Sequence, residues 1–283
     1  MIKILKFYVV LFVLFGCTAA QKNKFSTLTS EERKNLSLDY SQRATMIPQG
    51  TILEQSLLDT AIFFDSANHN AWLEKSTWAI KIGAYKEYAL YINKAVEINP
   101  LSGLGYRAWT RLFCLRDYQS ALSDLDRLDS LTPAVMDYPW GENIYFLRGL
   151  AKMQMGRDEE ALKAFTTCII KTTEEVGEKW IDVYAFVYRG QILLKSNRID
   201  ESMRDFDTAL KYYDKCAEAY YYKALALIKK GDRTTACENL QYALELAKKN
   251  YINSTVFRDV FNQLYVADIE TQIESNCKVK KAL

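Results

Sequence analysis

A single histidine, His69, limits the chemistry this sequence can offer. A Ser/His or Cys/His nucleophile would have to use it, because such nucleophiles need a neighbouring base to become reactive. No nucleophile motif surrounds Ser66 or Ser76, and one histidine cannot build a multi-histidine metal site. Beside a turn at a helix start, it reads as a solvated residue. Neither a P-loop nor a GxGxxG phosphate loop is present. Glu159/Glu160 and Glu174/Glu175 are paired carboxylates, the type that runs acid–base catalysis, but at a helix start and in a loop they read as solvated charge. Cysteine is the remaining reactive type. Six are present, without a CxxC or a Cys/His cluster, so no metal and no cofactor is expected.

Tyr212-Tyr213 and Tyr220-Tyr221-Tyr222 could stack on bases or sugars, yet aromatics at helical spacing are ordinarily core or interface. Asn253-Ser254-Thr255 matches a glycosylation sequon, a short pattern that recurs by chance. With so little catalytic chemistry on view, the elements that carry these residues say more.

A signature of small and bulky residues recurs five times. It is anchored on Tyr88, Ala121, Ala161, Ser202 and Ala236, spaced 33, 40, 41 and 34 residues apart. Four positions on lie Ile92, Leu125, Phe165, Phe206 and Leu240, and three beyond those lie Ala95, Leu128, Cys168, Ala209 and Ala243. Sixteen residues upstream of the anchors are Trp72, Gly105, Tyr145, Phe186 and Tyr220; twelve upstream are Ser76, Trp109, Gly149, Gly190 and Ala224. Apolar residues three and four apart share one helical face. Small residues on that face let two antiparallel helices approach, and Gly83, Gly156, Asn197 and Gly231 supply the turn between them. Self-similarity at this period means stacked supersecondary units.

The copies resemble tetratricopeptide repeats, with Pro100 and Pro133 closing the first two and AEAYYYKALALIKKGDRTTACENLQYALELAKK matching best. The resemblance covers roughly two-thirds of the chain and implies an all-α helix-pair solenoid of about five to six repeats. Tyr88 and Trp109 depart from it, being bulky where the family is small. Extra residues at Ala134–Gly141 and Lys171–Lys179 imply longer loops or an extended second helix. Upstream, Leu57–Ala61 reads as the second helix of a degenerate pair whose first helix starts near Ser30, with Thr29 and Glu32 as a capping box. Ser254–Ser275 reads as an amphipathic capping helix.

Met1–Gly16 has Lys3 and Lys6, then the apolar run Phe7–Phe15, which is the pattern of a secretory leader and too short to span a bilayer. LFGC resembles the lipobox of bacterial lipoproteins, with Phe15 bulkier than usual. The resemblance implies cleavage before Cys17, diacylglycerol on its thiol and an acyl chain such as palmitate on its amine. Several chains together give stable anchoring. Thr18 after the cysteine favours the outer membrane in the sorting logic of Gram-negative lipoproteins. Lys22 and Lys24, without an early acidic run, favour a periplasm-facing protein.

The expected organisation is therefore a leader over 1–16, lipidated Cys17 and a tether over 17–28, and a degenerate helix pair over 29–68. Five repeats follow over 69–250 as one continuous array, then a capping helix and tail over 251–283. There are 37 basic and 35 acidic residues, and loss of Lys3 and Lys6 with the leader leaves a formally neutral protein. Neutrality gives no general electrostatic reason to bind nucleic acid. Cys114, Cys168, Cys216, Cys237 and Cys277 remain once Cys17 is lipidated, an odd number that leaves at least one thiol free, and no particular bridge is assigned.

In tetratricopeptide repeats the first helix of each pair lines a concave face. The resemblance places Leu73, Tyr106, Phe146, Val187 and Tyr221 there. One turn on come Thr77, Thr110, Leu150, Gln191 and Leu225, and after another turn Ile80, Phe113, Met153, Leu194 and Ile228. The lysine and asparagine that grip a terminal carboxylate in some members are absent. The apolar stripe suits an extended peptide or an amphipathic helix, and Leu73, Tyr106, Phe146, Val187, Tyr221, Phe113, Met153 and Ile228 are its candidate contacts. The function expected is a membrane-anchored, non-enzymatic adaptor for a protein partner in the cell envelope. A surface-exposed ligand- or glycan-binding lipoprotein of a nutrient-uptake system, using aromatics near Trp140 and Trp180, is the alternative. An envelope enzyme using scattered carboxylates is a third.

Overall fold

A computed structural model describes residues 27–133, 135–255 and 260–277. The leader, Cys17 and most of the tether lie outside the described residues, as do Ala134 and the last six positions. The described residues contain thirteen α-helices and no strand. The chain divides into two compact units between Asn99 and Pro100, where the repeat phase alone implied one continuous array.

The first unit holds α1 (Ser30–Thr45), α2 (Ile52–Phe64), α3 (His69–Lys81) and α4 (Tyr85–Ile98). Thr29 and Glu32 form the capping box: each side chain accepts the other's backbone N–H. α1 packs on α2 and α3 on α4, and Ala44, Leu57, Leu58, Ala61 and Ala71 form a core between α1, α2 and α3. Buried Asn68 caps α3 while its amide donates to the Ser37 and Ser41 hydroxyls of α1. His69 is not simply solvated. It is half-buried with Nδ1 2.8 Å from the Ala95 carbonyl oxygen, so it ties the start of α3 to the end of α4.

The second unit holds α5 (Pro100–Phe113), α6 (Tyr118–Leu131), α7 (Ile144–Gln154), α8 (Asp158–Glu175), α9 (Val183–Lys195), α10 (Ile199–Tyr212), α11 (Ala217–Lys230), α12 (Arg233–Lys248) and α13 (Val266–Asn276). Successive helices pair and then stack on the next pair. The signature explains why. Ala121, Ala161, Ser202 and Ala236 are wholly buried, as are Leu125, Phe165, Phe206 and Leu240 behind them. A Cβ on Gly149 would come within 2.6 Å of the Phe165 ring, and one on Gly190 within 2.5 Å of Phe206. The backbones approach because those side chains are missing.

Gly83, Gly156, Asn197 and Gly231 all adopt the left-handed turn conformation, and Arg116 serves that role in the second copy with φ 56°. Gly105 stands where an aromatic is usual, and Pro139 of the following insertion packs into the space. The second insertion is divided between the long α8 and a 3₁₀ turn at Glu178–Trp180.

Buried ion pairs lock neighbouring helices. Arg107 and Arg111 of α5 share Asp124 of α6, and Arg189 of α9 binds both oxygens of Asp205 of α10. A disulfide, Cys237–Cys277, joins α12 to the end of α13, leaving Cys114, Cys168 and Cys216 as thiols.

The expected capping helix is shorter than Ser254–Ser275. Among its described residues, helix begins only at Val266. Phe261 and Asn262 form a turn with Asn262 at φ 51°. Burying the Phe261 ring elsewhere outweighs the helical propensity of the segment.

Candidate partner-binding groove

The first helices α5, α7 and α9 bring their inward positions together within the second unit. Phe113 and Tyr106 come from α5, Phe146, Leu150 and Met153 from α7, and Val187 and Gln191 from α9. All but Met153 and Gln191 are buried. Of the remaining candidates, Tyr221 is buried on α11, Ile228 is half-buried on the same helix, and Leu73 is half-buried on α3 in the first unit. An open apolar stripe is therefore not what the structure contains, because the protein covers it with its own residues.

Three covers are distinguishable. Trp140, from the first insertion, lays its ring 4.5 Å from that of Tyr106. Tyr221 joins a cluster with Leu264 and Ile269 beneath α13. Between them, the turn Phe261–Asn262 enters the middle of the stripe.

That turn is held by side chains of the α5–α6 and α9–α10 pairs, and between them Asn262 reaches the Met153 sulfur of α7 at 3.8 Å. The Phe261 ring, only 4% exposed, stacks on Phe113 with centroids 5.3 Å apart. It meets Tyr118 edge-on at 6.0 Å, and the Arg116 guanidinium lies 4.5 Å from its centroid. The Tyr188 hydroxyl donates to the Phe261 carbonyl at 3.1 Å. Asn262 donates its amide N–H to Gln191 Oε1 at 2.8 Å. A cavity of about 60 Å³ remains beside the ring, bordered by Phe146, Leu150, Tyr184 and Tyr188. Burial pushes the Tyr184 hydroxyl pKa above its ordinary value, so Tyr184 stays a neutral donor.

The chain leading into the turn is tethered too. The Ala217 N–H donates to the Tyr251 carbonyl, and the buried carboxylate of Glu218 accepts the Asn253 N–H. Burial raises the Glu218 pKa, opposed first by that N–H, and burial pushes the neighbouring Cys216 thiol up to about 12.

Gln191, Phe113, Phe146, Leu150 and Met153 were visible as inward positions of the repeat. Tyr188, Tyr184, Arg116 and Tyr118 were not. Tyr184 and Tyr188 are one helical turn apart on α9, a spacing that could have flagged them.

A larger concavity, about 900 Å³, is a cleft of mixed lining bordered by α8, α9 and α10. Its Arg198 pairs with Glu201 and its Arg189 with Asp205. Among the described residues no cluster of three His, Cys, Asp or Glu side chains could hold a metal ion, and no described helix is long and apolar enough to cross a membrane.

Residues 142–169, spanning α7 and much of α8, match the family model for the tetratricopeptide repeat. The matched stretch is one helix pair, and the stacked pairs around it make the fold a helix-pair solenoid of the tetratricopeptide type. The all-α helix-pair fold is shared with PilF of Pseudomonas aeruginosa, with a TM-score of 0.55 and 16% identity over 77% of this chain and 92% of that one. PilW, described as a widely conserved type IV pilus biogenesis factor, superposes with a TM-score of 0.53 and 13% identity, covering 75% of this chain and 90% of that one. At such identities these likenesses carry the fold alone. Human mitochondrial import receptor subunit TOM70 is 28% identical over 115 residues, 40% of this repeat protein and 18% of the receptor. The match thus spans less than a fifth of that relative's length.

Proposed function

We propose that this chain is a lipid-anchored, non-enzymatic adaptor of the bacterial cell envelope that holds a protein partner through its repeats. The observation that carries the reading is the inward aromatic stripe of α5, α7 and α9, which already takes a peptide turn by ring stacking and side-chain hydrogen bonds. Aromatic anchors in a desolvated groove dominate the energetics of such interfaces. The lipobox-like LFGC and Cys17 support a lipid anchor, Thr18 after the cysteine favours the outer membrane, and Lys22 and Lys24 without an early acidic run favour the periplasmic face. The Cys237–Cys277 bridge fits an oxidising compartment outside the cytosol. Against an enzyme, Glu160 is engaged by Arg157 and Lys152, and Glu175 lies by the Tyr138 hydroxyl.

The test has two readouts on the full-length chain in its native host. Palmitate labelling and outer-membrane fractionation should both be lost in Cys17→Ser. Crosslinked pull-down from native envelopes should recover a defined protein with the wild-type chain. An unlabelled chain in the soluble fraction would sink the anchoring, and envelopes without a crosslinked protein would sink the adaptor role. Tyr106→Ala, Phe146→Ala and Tyr221→Ala together are not suitable probes, since each removes a buried ring at about 3–5 kcal/mol.

A glycan- or ligand-binding lipoprotein at the cell surface is the second reading. Trp140 and Trp180, 55% and 68% exposed on the two insertions, favour it. Glycan binding by intact cells, lost in Trp140→Ala or Trp180→Ala, is the outcome that would prefer it.

A further inference from the structure

We infer that the Phe261–Asn262 turn is an internal ligand, and that the groove recognises in its partner an exposed turn bearing an aromatic anchor followed by a side-chain amide. This rests on the protein-binding reading above and names the partner's chemistry.

The occupant is a separate piece of chain rather than part of the repeating core. It lies between α12 and α13, outside the five repeats, and Asn262 takes the left-handed conformation. Among the described residues, the turn is held to the repeats by side chains: the Phe113 and Tyr118 rings, the Arg116 guanidinium, the Tyr188 hydroxyl and the Gln191 amide. This is how a groove binds a guest. A ring is desolvated in a pocket, one main-chain carbonyl is read by a buried hydroxyl, and one side chain is read at the rim. The Asn262–Gln191 bond is exposed, so water can replace it when the turn leaves. The pocket seats a phenyl ring, and a cavity of about 60 Å³ lies beside it.

Each contact selects a feature of the guest. The stacked ring and overlying guanidinium ask for an aromatic. Tyr188 asks for a main-chain carbonyl turned inward. Gln191 Oε1 asks for an N–H donor on the next residue. Left-handed φ there suits Asn, since most other side chains resist it.

The turn is bound in cis. The Tyr251 and Asn253 contacts hold its N-terminal side, while Leu264 and the Cys237–Cys277 bridge hold its C-terminal side. A guest tethered this closely competes at an effective concentration of roughly millimolar. An external turn must outcompete it or find it displaced.

The experiment uses the full chain with its disulfide intact, and a fluorescein-labelled peptide of sequence VFNQLY, copied from Val260–Tyr265. The groove is emptied in the double variant Phe261→Ala/Asn262→Ala, and helix content and disulfide are checked by circular dichroism and thiol titration. Anisotropy should show the peptide binding the emptied variant at least about tenfold more tightly than wild type. A peptide with Phe replaced by Ala should not bind, and adding Gln191→Ala to the emptied variant should weaken binding several-fold. Absent binding to a folded emptied variant overturns the inference, and so does equal affinity for wild type and variant. Should the double variant lose helix, Asn262→Ala alone breaks the Gln191 bond and strains the turn. It is then expected to raise peptide affinity about threefold, and no gain overturns the inference. The adaptor reading fails separately. A chain that refuses the peptide yet crosslinks to an envelope protein overturns the internal-ligand inference alone. One that takes the peptide but finds no envelope protein overturns only the adaptor.

Discussion

Gly149 and Gly190 carry no side chain because Phe165 and Phe206 fill the space where one would stand. Both rings are wholly buried and cannot step aside. Gly149→Ala gains up to about 1 kcal/mol of helix propensity but overpacks at about 1–3 kcal/mol. A net loss of stability is expected, read as a lower denaturation midpoint and reversed by adding Phe165→Leu. Asp124 is a second sensitive residue, since it neutralises both Arg107 and Arg111 between helices. Asp124→Ala removes the carboxylate that two half-buried guanidinium groups share and should cost about 3 kcal/mol in a urea titration, whereas severing the exposed Lys94–Glu97 pair should cost well under about 1 kcal/mol.

Glu218 adds a pH dependence. Its carboxyl is raised by burial above the ordinary 4.5, so its contribution to stability is full below that value and is lost as pH rises through the raised one. Glu218→Gln keeps an oxygen for the Asn253 N–H and carries no charge. Relative to wild type, the variant should be unchanged near pH 4 and more stable near pH 7 by thermal denaturation. An equal difference at both pH values would refute this.

At the scale of elements, the helix pairs were legible because their cause repeats. Small residues, bulky partners and left-handed turns recur in phase, and a phase shared by five copies is hard to produce by chance. One recurrent cue lies outside the small-and-bulky signature. The residue just before the small position is basic in four copies, Lys75, Arg148, Arg189 and Lys223, and each finds an aspartate on a second helix. The groove's filling was not legible, because Val260–Leu264 belongs to no repeat and a lone Phe-Asn in an amphipathic stretch reads as helix. What decides its conformation is the pocket formed by Phe113, Tyr118 and Tyr188, whose residues lie far from it in sequence. The bridge was illegible for a similar reason: five cysteines offer many pairings, and only folding brings Cys237 and Cys277 together. α13 depends on that bridge. Cys237→Ser/Cys277→Ser reopens a long loop and should cost about 3–4 kcal/mol.

For the whole molecule, two units with separate cores imply stabilities that respond separately. Reductant should speed amide exchange in Leu240–Leu246 and leave Leu57–Ala61 unchanged, measured by hydrogen exchange with mass spectrometry. Matching acceleration in both stretches would show that the units unfold as one. Every helix from Ser30 to Lys248 follows local pattern, so the fold class was within reach of sequence. The partition at Asn99 was not, because the repeat phase continues across it.

The bridge between Cys237 and Cys277 also makes that part of the chain a covalent ring. A protease that cuts once inside the ring severs no piece from the molecule. Both new ends stay attached, and the nicked protein migrates as one band until its disulfide is reduced. Cleavage beside the Phe261–Asn262 turn would thus free the groove while every residue of the ring remained in place on its tether. Damage and release would look identical on a non-reducing gel and separate only when thiol is added.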